Sequence, residues 1–243
     1  MVSSRGSRRP PGRAPVGLEP IAKPGGGFRW LARLDPADER DYRLLVARVT
    51  PRIERALGRE VVANRVRGRG SLRTVSLEPW GSARRVYRRR LQVLFARDPA
   101  AILVADVRDC FGSIDPPATA SALAELGSRD DTREIVRLLE RFAEDGVPGL
   151  PIGPEPSAIL ANAVLARADR VLSAAGMAHV RWVDDIVGVA RDARHAERAL
   201  SAWRETLASL GLDVHEEKTR ILEPVEWLER ANTCRPSPPL RLR

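Results

Sequence analysis

The chain is short of cysteine, lysine and long apolar runs. Its 243 residues hold two cysteines, Cys110 and Cys234. Two isolated thiols make neither a disulfide framework nor a zinc cluster, and their scarcity fits a reducing compartment. No apolar run reaches membrane-spanning length, and the arginine-bearing N-terminus lacks the apolar stretch of a secretory signal. The expectation is a cytoplasmic chain without membrane contact. Lysine occurs only as Lys23 and Lys218, so nearly all of the 41 basic side chains are arginine. Residues 1–27 have almost nothing apolar; they cannot form a core and read as a disordered basic tail.

What is present is unevenly charged. The net charge is +9, yet residues 1–100 carry 23 basic and 9 acidic side chains, and residues 101–243 carry 18 and 23. A basic first part joined to an acid-bearing second part suits a polyanion gripped by one and processed by the other. The cluster Arg84, Arg85, Arg88, Arg89 and Arg90 falls in a predicted helix, Pro79 to Arg97, without acidic neighbours. It reads either as a solvated face or, from its density of like charge, as a contact for nucleic-acid phosphates.

Periodicity gives the order of elements. Asp35-Pro36 reads as a helix start, and Tyr42, Leu45, Val46 and Val49 recur at helical spacing until Pro51 breaks or restarts the helix. Residues 59–73 read as a basic loop. Ala101–Ala105 is a buried-strand signal ending at Asp106. Helices over 117–126, 130–144 and 157–175 follow, the last after a glycine- and proline-rich loop at 146–157. A hairpin, a helix over 192–210 and a strand at Leu212–Val214 complete the string. This order describes an α+β layer, an antiparallel sheet with helices on one face.

The hairpin, HVRWVDDIVGVA at His179–Ala190, carries the chemistry. Asp184 and Asp185 interrupt a β-branched run and read as its turn. They are either two exposed turn residues or a covered pair. Covered adjacent carboxylates repel each other and call for a cation, and hard oxygen ligands select Mg²⁺ or Mn²⁺. Asp106, at the end of a neighbouring strand, supplies a third carboxylate. That is the set a two-metal phosphoryl-transfer site needs.

Four segments in order resemble the reverse transcriptases: VADVRDCFGSID, GLPIGPEPSAILAN, RWVDDI and LGLDVHEEKT, over about residues 100–222. The look is closest to bacterial members linked to phage defence and abortive infection. The resemblance implies a polymerase palm over residues 100–223, with Asp106, Asp184 and Asp185 holding two Mg²⁺ ions. It implies a mainly helical, basic fingers region over 28–99 and a short C-terminal tail over 224–243. It further implies that Asp109 presents its backbone to the triphosphate and that Phe111 gates against a 2′-hydroxyl, unless its ring is simply core. Pro151, Ile152 and Gly153 would line the nucleotide. Lys218 would act on the departing pyrophosphate, unless it only pairs with surface acids. One of Arg65, Arg67 and Arg73 would hold the triphosphate, and Arg84, Arg85, Arg88 and Arg89 would hold nucleic acid. Substrates would be dNTPs, an RNA template and a DNA product.

The chain also departs from that pattern. Trp182 stands where tyrosine is usual, Ile152 where glutamine is common, and His215 where asparagine is common. Few residues follow Thr219, so a helical thumb is expected to be absent or vestigial, with a partner subunit or oligomer supplying it. The rival expectation is a catalytically idle nucleic-acid-binding or defence scaffold on the same palm. A nucleotide cyclase on a related palm is a third.

Overall fold

A computed structural model describes residues 12–23, 26–67, 76–127 and 129–227. The expectations for residues 1–11, for Arg73, for Cys234 and for the tail after residue 227 lie outside these.

The helices form where apolar stripes and caps coincide. Helix α1 (Pro36–Ala56) starts on Asp35, whose side chain accepts from the Ala37 N–H at 2.8 Å, with proline in its first turn. Pro51 does not break it. Tyr42, Val46 and Val49 before the proline and Ile53 after it share one buried stripe, and that burial outweighs the roughly 3 kcal/mol a helical proline costs. Helix α2 (Trp80–Phe95) carries the arginine cluster. Strand β3 (Ala101–Arg108) runs two residues past Asp106 and leads into a short helix, α3 (Cys110–Ser113). Then come α4 (Pro116–Glu125), α5 (Arg129–Glu144) and α6 (Glu155–Ala174), which is buried on nearly every side and is the central helix. Strands β4 (Ala178–Trp182) and β5 (Asp185–Ala190) make the hairpin. Helix α7 (Ala193–Ser209) and strands β6 (Asp213–Val214) and β7 (Arg220–Leu222) complete the order.

The sheet is antiparallel, ordered β4-β5-β3-β6, with β7 also pairing with β3. Alternation decides which face each residue meets. Leu103, Ala105, Val107, Ile186 and Ala190 join the large core made by α1 and α4 to α7. Val180 and Val189 face the other way, onto Ala83 and Leu94 of α2, with Tyr87, Leu91 and Phe95 beside them. So the arginine helix rests on the second face of the sheet, sharing that face with Asp106 and Asp185.

Part of the predicted tail is folded. Strands β1 (Gly17–Ala22) and β2 (Phe28–Arg33) form a hairpin. It is held from outside itself: Val16 N–H donates to Asp145 at 3.0 Å, and Ala32 N–H to the Ile152 carbonyl at 2.8 Å. Arg13 pairs with Asp38 and Asp41. These tertiary ties order a stretch whose glycine, glutamate and proline give little strand signal by themselves.

Candidate active site

Register brings the acids together. Asp106 on β3 lies directly opposite Asp185 on β5. The hairpin turn falls one residue earlier than the sequence predicts: it is Val183-Asp184, with Val183 at φ 60°, and Asp185 already begins β5. Asp184 therefore projects from the turn and Asp185 from the strand. Carboxylate oxygens of Asp106, Asp184 and Asp185 lie within 4.8 Å of one another, with Asp106 buried, Asp184 half-buried and Asp185 exposed.

The cluster is short of positive charge. Burial, and then the charge of Asp106, push the Asp184 carboxyl up to about 6. Burial, the charge of Asp184 and a hydrogen bond with Asp106 raise that of Asp185. Lys218 stands in a single 3₁₀ turn, Glu216–Lys218, and its Nζ donates to Asp106 Oδ2 at 2.9 Å. Burial lowers the Lys218 ammonium, but the bond to Asp106 and the surrounding acids outweigh it, so its pKa is raised. The ion pair of Lys218 is with Asp106, and Glu216 pairs with Arg204.

A second cation was missed in the sequence. The charge of Arg29, on β2, reaches Asp184 and opposes the rise in its pKa. No strand signal marked residues 17–33, so nothing placed Arg29 there. Arg65 is used internally, bonding Glu54 at 2.8 Å and the Gly58 carbonyl at 2.9 Å. Of the three arginines proposed to hold a triphosphate, Arg67 is exposed and Arg73 is outside the described residues.

Asp109 adopts φ 41°, and its carboxylate overlies Gly112, where an added Cβ would lie 2.4 Å from Oδ2. The Phe111 ring is half-buried against the large core, and its carbonyl accepts from Leu150 N–H at 2.8 Å. Gly149 approaches so closely that a Cβ there would lie 2.4 Å from the Phe111 and Gly112 carbonyl oxygens. Pro151 is buried, Ile152 half-buried and Gly153 exposed at φ 124°. The glycine-proline loop thus joins α3 on one side and β2 on the other. Trp182 is wedged against Trp80 at 4.5 Å and Tyr87 at 5.2 Å, edge-on to the former.

Beneath the turn lies a buried polar group that sequence reading also missed. Arg181 donates through Nε and Nη2 to Asp169 at 2.8–3.0 Å, and through Nη1 to Asn162 Oδ1 at 2.8 Å and to the Val183 carbonyl at 2.6 Å. Asn162 in turn donates to the carbonyls of Ala63 and Asn64, at 3.2 and 3.1 Å. The strained turn that carries Asp184 is held from below by this set.

An antiparallel sheet backed by helices, with carboxylates meeting from a central strand and an adjacent hairpin, is the arrangement of a polymerase palm. The chain belongs to the reverse transcriptase (RNA-dependent DNA polymerase) family, whose model matches residues 21–229. Similar folds occur in solved telomerases. Telomerase from Candida albicans, complexed with a TWJ fragment of telomeric RNA, aligns at TM-score 0.54 and 14% identity over 92% of this chain and 43% of that one. Apo telomerase from Candida tropicalis gives 0.58 and 14%, over 92% and 46%. Its form truncated from the C-terminal domain gives 0.53 and 12%, over 91% and 51%. The chain spans about half the length of these structures, and at such identity the likeness is one of fold. No curated protein sequence matches. No helix among the described residues is long and apolar enough to cross a membrane.

Proposed function

We propose that this chain adds deoxynucleotides to a 3′-hydroxyl, copying RNA into DNA. The observation that carries the reading is the meeting of Asp106, Asp184 and Asp185 within 4.8 Å, with Lys218 alongside. The donor set fits divalent ions: all three are hard oxygen ligands, and two have pKa values raised in part by mutual repulsion that a cation would relieve. Asp106, Asp184 and Asp185 would hold Mg²⁺ or Mn²⁺. Such ions supply activation of the attacking hydroxyl and neutralisation at the leaving pyrophosphate.

The chain's own residues do the remaining work. Lys218 and Arg29 bring positive charge to where the leaving phosphates develop negative charge. The backbone at Asp109 faces the triphosphate. Phe111 packs beneath the sugar and excludes a 2′-hydroxyl, while Pro151, Ile152 and Gly153 border the incoming base. Arg84, Arg85, Arg88 and Arg89 contact nucleic-acid phosphates. The setting in phage defence follows from the sequence resemblance, and loss of plaque protection in a host expressing Asp184→Asn in place of the wild type would support it.

The test incubates purified protein with dNTPs and Mg²⁺, with and without an RNA template. Incorporation that requires the template and vanishes in Asp184→Asn supports the reading. No incorporation, or equal incorporation by Asp184→Asn, overturns it and favours the idle scaffold.

A further inference from the structure

Two depressions lie along the outer side of the sheet. One, of ≈ 890 Å³, runs between α2 and β4 and is lined by Arg59, Arg85, Arg89, Arg90 and Arg97. The other, of ≈ 720 Å³, lies between the end of β5 and α7 and is lined by Arg97, Arg191, His195 and Arg198. They share Arg97 and Ala178, so they form one continuous groove. Glu60 and Asp98 are the acids among the lining residues.

The groove is separate from the acidic site. None of Asp106, Asp184 and Asp185 lines it. Ala178, which both depressions share, pairs with Val189, four residues along β5 from Asp185, or about 13 Å at about 3.3 Å per residue, and the near end at Val180 pairs with Val187, two residues from Asp185. Its arginines come from five places in the chain: the segment after α1, helix α2, the turn into β3, the turn after β5, and α7. Among the described residues none of Arg59, Arg85, Arg89, Arg90, Arg97 and Arg198 has an ion-pair partner. A solvated face on one helix would need no such convergence. Converging unpaired like charges repel in the free protein, and a polyanion laid along them removes that cost.

Composition narrows the polyanion. No Phe, Tyr or Trp lines either depression, His179 is buried and the His195 ring is tied to the Ala175 carbonyl at 2.8 Å, so the groove offers little platform on which unpaired bases could stack. Arginines alone read the phosphate backbone. A concave channel without Phe, Tyr or Trp suits a helix of nucleic acid better than a flat lipid surface, where Trp and Phe would insert. We propose that this groove is a second nucleic-acid site, which holds a base-paired helix by its backbone outside the catalytic cleft. It extends the contact proposed for α2 and does not depend on catalysis.

The test uses the full chain and fluorescein-labelled RNA and DNA hairpins of about 20 base pairs, long enough to follow the groove. Binding is followed by anisotropy across a salt series. The triple variant Arg59→Glu, Arg97→Glu, Arg198→Glu is expected to weaken binding of one or both hairpins by roughly 10- to 100-fold and to lower the salt slope by about 3. Whichever hairpin responds identifies the nucleic acid. Asp185→Asn should bind like the wild type. The triple variant should incorporate dNTPs on a template–primer of about ten base pairs within about twofold of the wild type, since distant sites act independently. A matching Arg→Gln triple, with an unchanged melting curve, separates lost contact from lost fold. Unchanged hairpin affinity and slope in both triples would overturn the proposal, as would groove-dependent binding to phosphatidylserine vesicles in preference to either hairpin. If the wild type incorporates no dNTP while the triples still lose hairpin binding, the polymerase reading falls and the groove stands.

Discussion

The two sides of the β4–β5 hairpin hold ionic clusters of opposite design. Below the turn, all three side-chain nitrogens of Arg181 donate, to Asp169, Asn162 and the Val183 carbonyl. Burial raises the Asp169 carboxyl, but the Arg181 charge and the bonds Asp169 accepts from Arg181 outweigh it, so its pKa is lowered. Above the turn, Asp184 and Asp185 have raised pKa values, with Lys218 and Arg29 as the opposing charges. Arg181 and Asp184 are three residues apart in the chain. The closed cluster positions the turn; the open one is short of positive charge. An acidic group is informative about function when its neighbours leave it unsatisfied.

The sharpest way to break this contrast is to remove the open cluster. Asp106→Asn should lower dNTP incorporation by about 10³- to 10⁴-fold, worth about 4–5 kcal/mol of barrier, while thermal stability holds or rises as repulsion is relieved. A loss of stability alongside activity would place Asp106 with the structural set. Disturbing the closed cluster should do the reverse. Arg181→Leu leaves Asp169 buried and alone and should cost about 3–5 kcal/mol in denaturant unfolding. Adding Asp169→Leu should recover part of that loss, because the uncompensated charge is gone. Strictly additive losses would show that the pair is not coupled.

Lys218→Met should cost incorporation about 10²-fold, with little change in folding. Unchanged turnover would make Lys218 a simple partner of Asp106. The smallest effect concerns pH. The Asp184 carboxyl is raised from 3.8 to about 6, so the folded protein keeps this proton where the unfolded chain has lost it. Its contribution to stability is full below the unfolded value and is lost as pH rises through about 6. A divalent ion competes with that proton. Stabilisation by Mg²⁺ should therefore grow, by about 1 kcal/mol, between about pH 5 and pH 8, and Asp184→Asn should flatten the trend.

The acids were legible in the sequence because short strands leave little freedom. Once Ala101–Ala105 and the hairpin are strands, Asp106 and the Asp-Asp pair can meet on one side. The turn was placed one residue late because Val183 is β-branched, and a β-branched residue at φ 60° contradicts local preference. The bond from Arg181 to its carbonyl, with the Trp182–Asp185 pairing across the turn, holds that conformation. In the sequence, Arg181 is one polar residue between Val180 and Trp182. Its burial depends on Asp169, in a helix whose sequence places that aspartate among alanines and arginines without distinction. The β1–β2 hairpin was hidden for a related reason: its ties, to Asp145 and Ile152, are far away in the chain.

One tie has a mechanical consequence. The outer edge of β4 is zipped to the segment after α1: Arg181 N–H donates to the Glu60 carbonyl at 2.9 Å, and Val62 N–H returns a bond to the Arg181 carbonyl at 3.1 Å. That edge is therefore not available for another strand to add to. The segment after α1 and the hairpin that carries Asp184 are thereby joined through main-chain bonds. On the proposed polymerase reading, any closure over a nucleotide would hinge outside Glu60–Val62, because swinging that segment would tear the bonds that tie it to Arg181.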